Sequence, residues 1–195
     1  MQSKQIAAVV KHFPGHGDTY IDSHLDLPVV KKTLNELESF ELLPFIAAIK
    51  QDADAIMIAH LLIPALDEQY PASLSETVIT DLLRNKLNYD GVIITDDMTM
   101  GGITKHHDIG EAAVKSVQAG TDIILIGHDH ELQEAVLQAL RKSAESGLLP
   151  EERLDQSVYR ILQLKNKYDL QDTATDEADI QALNQSIQAA LQQRP

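Results

Sequence analysis

The chain has 195 residues, of which 44% are hydrophobic and only 4% aromatic, and its formal net charge is −14. That length allows one sizeable core, the charge repels nucleic acid and anionic membrane, and the longest apolar runs fall far short of the roughly 20 residues that a membrane helix needs. The absence of cysteine rules out disulfides, thiolate metal ligands and a cysteine nucleophile and leaves the compartment open; no basic and then apolar leader pattern is visible, which favours a cytoplasmic location without fixing it.

Four short apolar runs, residues 6–10, 55–59, 92–95 and 123–126, read as strands buried on both faces, with helical pattern between them. This alternation predicts an α/β fold of parallel strands and crossover helices. The first crossover opens at Thr33, where T-L-N-E is a capping box. Pro44 splits it into a short helix before Ser39 and a second from about Glu41, with Pro44 in its first turn. A helix from about Ser75 carries Val78, Ile79, Leu82 and Leu83 as its apolar stripe. Further helices are predicted over about 110–120 and 131–146. Another opens at Pro150 and is expected to bury Leu154, Val158, Ile161, Leu162 and Leu164. From Gln171 the composition turns polar, although Ile180, Leu183, Ile187 and Leu191 recur at helical spacing. Residues 1–170 are therefore expected to form one domain, and 171–195 a polar helix or tail.

The chemistry concentrates in K-H-F-P-G-H-G-D-T-Y-I-D-S-H, residues 11–24, where three histidines, two aspartates and a lysine follow the first strand. Pro14, Gly15 and Gly17 end regular structure there. A strand that runs into a glycine-rich loop loaded with titratable groups is where α/β enzymes keep their chemistry. Asp22 and His24, two residues apart, can lie on one side of an extended loop. An imidazole with an unperturbed pKa of about 6.5 can donate and then accept a proton, and an adjacent carboxylate fixes its tautomer. Asp96 ends the strand 92–95 and is placed either for catalysis or to cap the next turn. Pleat alternation puts Asp96 on one face with Val92 and Ile94, and Asp97 on the other. Lys11 and His12 end the first strand; each could instead be structural. His16 reads as a loop-shaping residue and His60 as a residue lining the site. Asp97, His106, His107, Asp108, His128, Asp129 and His130 raise a metal reading, but no H-E-x-x-H pattern occurs and the clusters lie on separate loops, so no metal and no cofactor is expected.

K-H-F-P-G-H-G-D-T followed by D-S-H, with A-H-L-L-I-P-A-L-D, P-A-S-L-S, G-V-I-I-T-D-D-M-T-M and A-G-T-D-I-I-L-I, resembles glycoside hydrolase family 3, within it the β-N-acetylglucosaminidases that trim peptidoglycan fragments. The resemblance implies a (β/α)8 TIM-type barrel, of which four βα units would be the C-terminal half. It implies a retaining exo-β-N-acetylhexosaminidase with a carbohydrate substrate. In that reading Asp96 is the nucleophile, His24 the general acid/base oriented by Asp22, and Lys11 and His12 bind sugar hydroxyls. Four strands cannot close a barrel, so self-association or a missing N-terminal half-barrel is expected, and impaired activity with it. The alternatives are a phosphorolytic variant, an inactive sugar-binding or structural remnant, and a metal-dependent hydrolase.

Overall fold

In the computed structural model, which describes residues 2–170 and 179–192, three parallel strands form one sheet in the order β1-β2-β3. They are β1 Val9–Phe13, β2 Ala55–Ile58 and β3 Val92–Thr95. β2 and β3 pair in unbroken register from Ala55↔Val92 to Ile58↔Thr95. β1 pairs Val9↔Ala55 and Val10↔Ile56, slips, and resumes at Phe13↔Ile58. The first strand thus begins and ends later than residues 6–10, and Lys11 and His12 lie inside it rather than after it. The sheet needs this shift because Phe13, fully buried, belongs to the core beside Ile56 and Ile58.

The fourth expected strand forms no ladder. Residues 123–126 run beside β3 through one bridge, Ile94↔Ile123. The main chain of Ile123 donates to Ile93 O and accepts from Thr95 N, but the next donor, Leu125 N, turns to the Thr95 hydroxyl at 3.0 Å. A side-chain oxygen has taken the place of a main-chain acceptor, so the ladder with β3 ends there, and Leu125 O accepts from Met98 N at 3.0 Å beyond the strand.

The first crossover is α1 Leu34–Ser39 and α2 Leu43–Ile49. Thr33 and Glu36 make the reciprocal capping box, and Pro44 sits in the first turn of α2, where its missing N–H has no helical acceptor to serve. The second crossover, Thr77–Lys86, is wound as a π-helix and buries Val78, Ile79, Leu82 and Leu83 against the sheet. Beyond β3 come α3 Gly101–Thr104, α4 Ile109–Ala119, α5 His130–Glu145 and α6 Glu151–Lys167. Asp108 and Asp129 cap α4 and α5 through main-chain amides. Gly120, in the left-handed region at φ 117°, closes α4.

α6 departs from its sequence pattern. Val158 and Leu162 are 51% and 56% exposed, while Leu154, Ile161 and Leu164 are half-buried. The helix instead turns Arg153, Ser157 and Arg160, one polar stripe at i, i+4 and i+7, toward the N-terminal end of the sheet, where the buried Asp122 waits. A charged group cannot be left alone in the interior, and meeting it sets the rotation of the helix. α7 Ile180–Gln192 is helical as the spacing predicts, with Ile180, Leu183, Ile187 and Leu191 all exposed. The rest of the expected tail, 171–178 and 193–195, lies outside the described residues.

Candidate functional site

The site is built at the C-terminal ends of β1 and β3. Asp96 continues the β3 pleat, its amide donating to Ile58 O at 2.9 Å. Ile93 and Thr95 are fully buried on the helix-covered face, and Ile94 and Asp96 are half-buried on the other. Asp96 therefore points to the open face of the sheet. Across the cleft, His12 Nε2 lies 3.5 Å from Asp96 Oδ2. Burial holds the His12 imidazole below its ordinary pKa despite the opposing pull of Asp96, which favours the neutral ring, able to donate from one nitrogen and accept at the other.

The loop after Phe13 returns two more groups to this place. Asp22 Oδ1 accepts from the His24 amide at 2.9 Å and lies 2.8 Å from His24 Nδ1. These two hydrogen bonds, main-chain first, hold the Asp22 carboxyl below its usual range. With Nδ1 engaged by Asp22, Nε2 is the ring nitrogen of His24 that remains able to give or take a proton. His16 Nε2 meets Ser23 Oγ at 2.9 Å, and Thr19 Oγ1 meets His16 Nδ1 at 3.3 Å, so His16 folds the loop upon itself.

A cleft of about 340 Å3 is lined by His12, His16, Asp22, Ser23, His24 and Asp96. Lys11 is exposed and lines a wider adjoining cleft, of about 730 Å3, which shares His12 and His16 with the first. Four of the five residues singled out in the sequence thus share one cleft, and the fifth stands at its neighbour.

His60 lies beneath the cleft rather than in it, with no exposed surface. Its Nε2 donates to Asp97 O at 3.0 Å and its Nδ1 accepts from Ser73 Oγ at 2.8 Å, so it braces the main chain beside Asp96. Burial lowers its pKa and keeps it neutral. Asp97 turns away from the open face: it accepts from Thr99 N and Oγ1, each at 2.9 Å, and from Gly127 N at 3.2 Å. Partial burial pushes its carboxyl up, and these donors more than reverse that.

Lys32, which the sequence does not mark as part of the site, pairs with Asp18 at 3.0 Å and with Glu41, tying the loop to the turn before α2. No motif contains Lys32, and only the tertiary fold brings it there. The residues that raised a metal reading have other work. His106 pairs with Asp26 at 2.7 Å, the ring of His107 stacks on Tyr70, and Asp108 and Asp129 are helix caps. Among the described residues no three His, Asp or Glu side chains are grouped to hold a metal.

The glycosyl hydrolase family 3 N-terminal domain model matches residues 1–164. A β-hexosaminidase of Idiomarina loihiensis is 37% identical over 172 residues, 88% of this chain and 50% of that protein. The β-hexosaminidase A of Pseudoalteromonas piscicida is 36% identical over 180 residues, 83% of this chain and 30% of the relative. Among solved structures, a family 3 β-N-acetylglucosaminidase from a Paenibacillus species superposes with a TM-score of 0.86 at 47% identity, over 91% of this chain and 34% of that one. The chain spans half or less of the length of these relatives.

Proposed function

The chain belongs to glycosyl hydrolase family 3, and from that premise we propose that it carries the catalytic groups of a retaining exo-β-N-acetylhexosaminidase acting on terminal N-acetylglucosamine of peptidoglycan-derived glycans. The observation that carries this reading is the shared cleft of Asp96, His12 and the hydrogen-bonded Asp22–His24 pair. A carboxylate at a strand end and an imidazole held by a second carboxylate are the two groups that a double displacement needs. Asp96 attacks the anomeric carbon while His24 gives its proton to the departing oxygen, which leaves a glycosyl ester on Asp96. His24 then takes a proton from water as that water attacks the same carbon, and the Asp96 carboxylate is released. Asp22 holds the imidazole in one tautomer and balances its charge. His12 and Lys11 bind sugar hydroxyls.

In this proposal residues 1–170 are the C-terminal four βα units of a (β/α)8 barrel, and 171–195 a polar appendage. The free edge of β1 then belongs against further βα units, from an N-terminal half or a second copy. Positioning contributes about 7–11 kcal/mol to lowering such barriers, so the chain by itself is expected to turn over slowly. The test is incubation with a slow fluorosugar substrate followed by peptide mass spectrometry. The expected result is a slowly formed adduct on Asp96. It is lost in Asp96→Asn, whose rate on an aryl N-acetyl-β-glucosaminide falls on the order of 10⁴-fold or more. An adduct on another residue, or none at all, would overturn the assignment.

A further inference from the structure

The loop that carries Asp22 and His24 has few apolar anchors, yet the structure seats it firmly at one place. Gly101 N donates to His24 O at 3.1 Å, and Gly102 N donates to Ser23 O at 3.0 Å. These are the first two amides of α3, donors that a helix start leaves without a helical partner. The contact is tight because neither residue has a side chain. A Cβ on Gly101 would stand 2.5 Å from Leu25 O, 2.8 Å from Leu25 C and 2.9 Å from His24 O. All three are main-chain atoms, which cannot rotate out of the way as a flexible side chain would. At Gly102 the nearest atoms are Ser23 O at 3.2 Å and His60 Cβ at 3.3 Å, a crowding that small shifts relieve. Gly17, in the same loop, would meet nothing within 4 Å.

α3 begins five residues after Asp96, and the turn between them is fixed. Met100 N donates to Asp97 O at 3.0 Å, and the same oxygen accepts from the buried His60. A rigid segment therefore runs from the strand end bearing Asp96 to the seat of the loop bearing His24.

We propose that Gly101 and Gly102 are positioning residues, a side-chain-free seat that fixes the main chain of Ser23, His24 and Leu25 and so sets where the His24 imidazole stands relative to Asp96. The catalytic consequence rests on the roles proposed above for those two residues; the seat itself does not. Neither glycine has a positive φ, and alanine suits a helix better than glycine does. Gly101→Ala is thus expected to leave the sheet and α3 intact while lifting the loop.

Hydrogen exchange of the 195-residue chain tests the seat without reference to catalysis. The amides of Leu25 and Asp26, both bonded to Asp22 O, are expected to lose protection in Gly101→Ala, to lose part of it in Gly102→Ala, and to keep it in Gly17→Ala, with melting temperatures close to the parent's. If Gly101→Ala does not fold, Gly102→Ala decides. Unchanged protection in the seat variants, or equal loss in Gly17→Ala, would overturn the proposal. On an aryl N-acetyl-β-glucosaminide, kcat for Gly101→Ala is expected to fall about a hundredfold at unchanged KM. Lost protection with unchanged kcat would leave the seat standing and count against His24 as the acid/base. A rise in KM with kcat intact would overturn the positioning role.

Discussion

At the N-terminal end of the sheet, the side chains of Asp54 and Asp122 have no exposed surface; at the C-terminal end, Asp22 keeps 59% of its side chain exposed and Asp96 keeps 16%. The two ends use the same residue type and differ in what surrounds it. Asp122 accepts from Ile93 N, Ser157 Oγ and Arg84 Nη2, with Arg160 at 3.5 Å and Arg153 at 3.7 Å. Asp54 accepts from Ala8 N, Gln2 Nε2, Tyr168 Oη and Lys167 Nζ at 2.6–2.9 Å. Both carboxylates have their lone pairs committed, which makes them joints between distant parts of the chain and poor reagents. Asp96 accepts one main-chain hydrogen bond, from Asp97 N, and faces His12. Its other oxygen, Oδ2, has the His12 ring at 3.5 Å. A fold built on strands can thus spend one end on cohesion and keep the other end available.

The largest expected effect that would break this contrast is at Asp122. Asp122→Ala leaves Arg84, Arg153 and Arg160, which are only 10–17% exposed, without their common counter-charge. Removing one partner from a buried ionic cluster costs about 3–5 kcal/mol. Denaturant unfolding should register a loss of that size in Asp122→Ala and no comparable loss in Asp96→Asn. Equal losses would mean that the two ends are held alike.

Asp54 gives a smaller effect, read through pH. Burial alone would raise its carboxyl, but the hydrogen bonds from Ala8, Lys167, Tyr168 and Gln2 outweigh burial and bring it to about 2, against 3.8 for the free side chain. A group whose folded pKa is depressed contributes stability above the unfolded value and loses it as pH falls toward the folded one. Its share is therefore intact above about pH 4 and lost between about pH 4 and 2. An unfolding series over that range should slope more steeply in the parent than in Asp54→Asn. Parallel curves would show that the cluster does not depend on this charge.

Much of the helical half of the fold is legible in the sequence because local chemistry decides it. The Thr33–Glu36 capping box, Pro44 in a first turn, Gly120 at a helix end and the stripe Val78, Ile79, Leu82 and Leu83 each need only near neighbours. The failures are tertiary. Lys11 and His12 look like the end of a strand by polarity, but they sit inside β1 because Phe13 pairs with Ile58 beyond them. Residues 123–126 have a strand's composition, yet Thr95 Oγ1 diverts their ladder. α6 shows an apolar stripe, but Asp122, 31 residues before Arg153 in sequence, draws the polar stripe inward instead. Of the site, the titratable residues could be named from the motif; Lys32 and the Gly101–Gly102 seat could not, since their partners lie far away in the chain.

The smallest expected effect concerns the one residue that crosses the contrast. Asp97 stands at the C-terminal end, next to Asp96, but behaves like the aspartates at the other end. Strand alternation explains the difference: Asp96 follows Ile94 onto the open face, and Asp97 follows Thr95 toward the covered one. There it holds the turn at Thr99 and the passing chain at Gly127, whose Cβ, if it had one, would lie 2.3 Å from Asp97 Oδ2. In Asp97→Asn one oxygen remains to accept from Thr99, while the charge that strengthens these bonds is gone. The expected cost is about 1–2 kcal/mol of stability, seen by denaturant unfolding. The adduct with a fluorosugar should still form on Asp96. A loss of adduct in Asp97→Asn at unchanged stability would place Asp97 among the reacting groups and dissolve the distinction between the two neighbours.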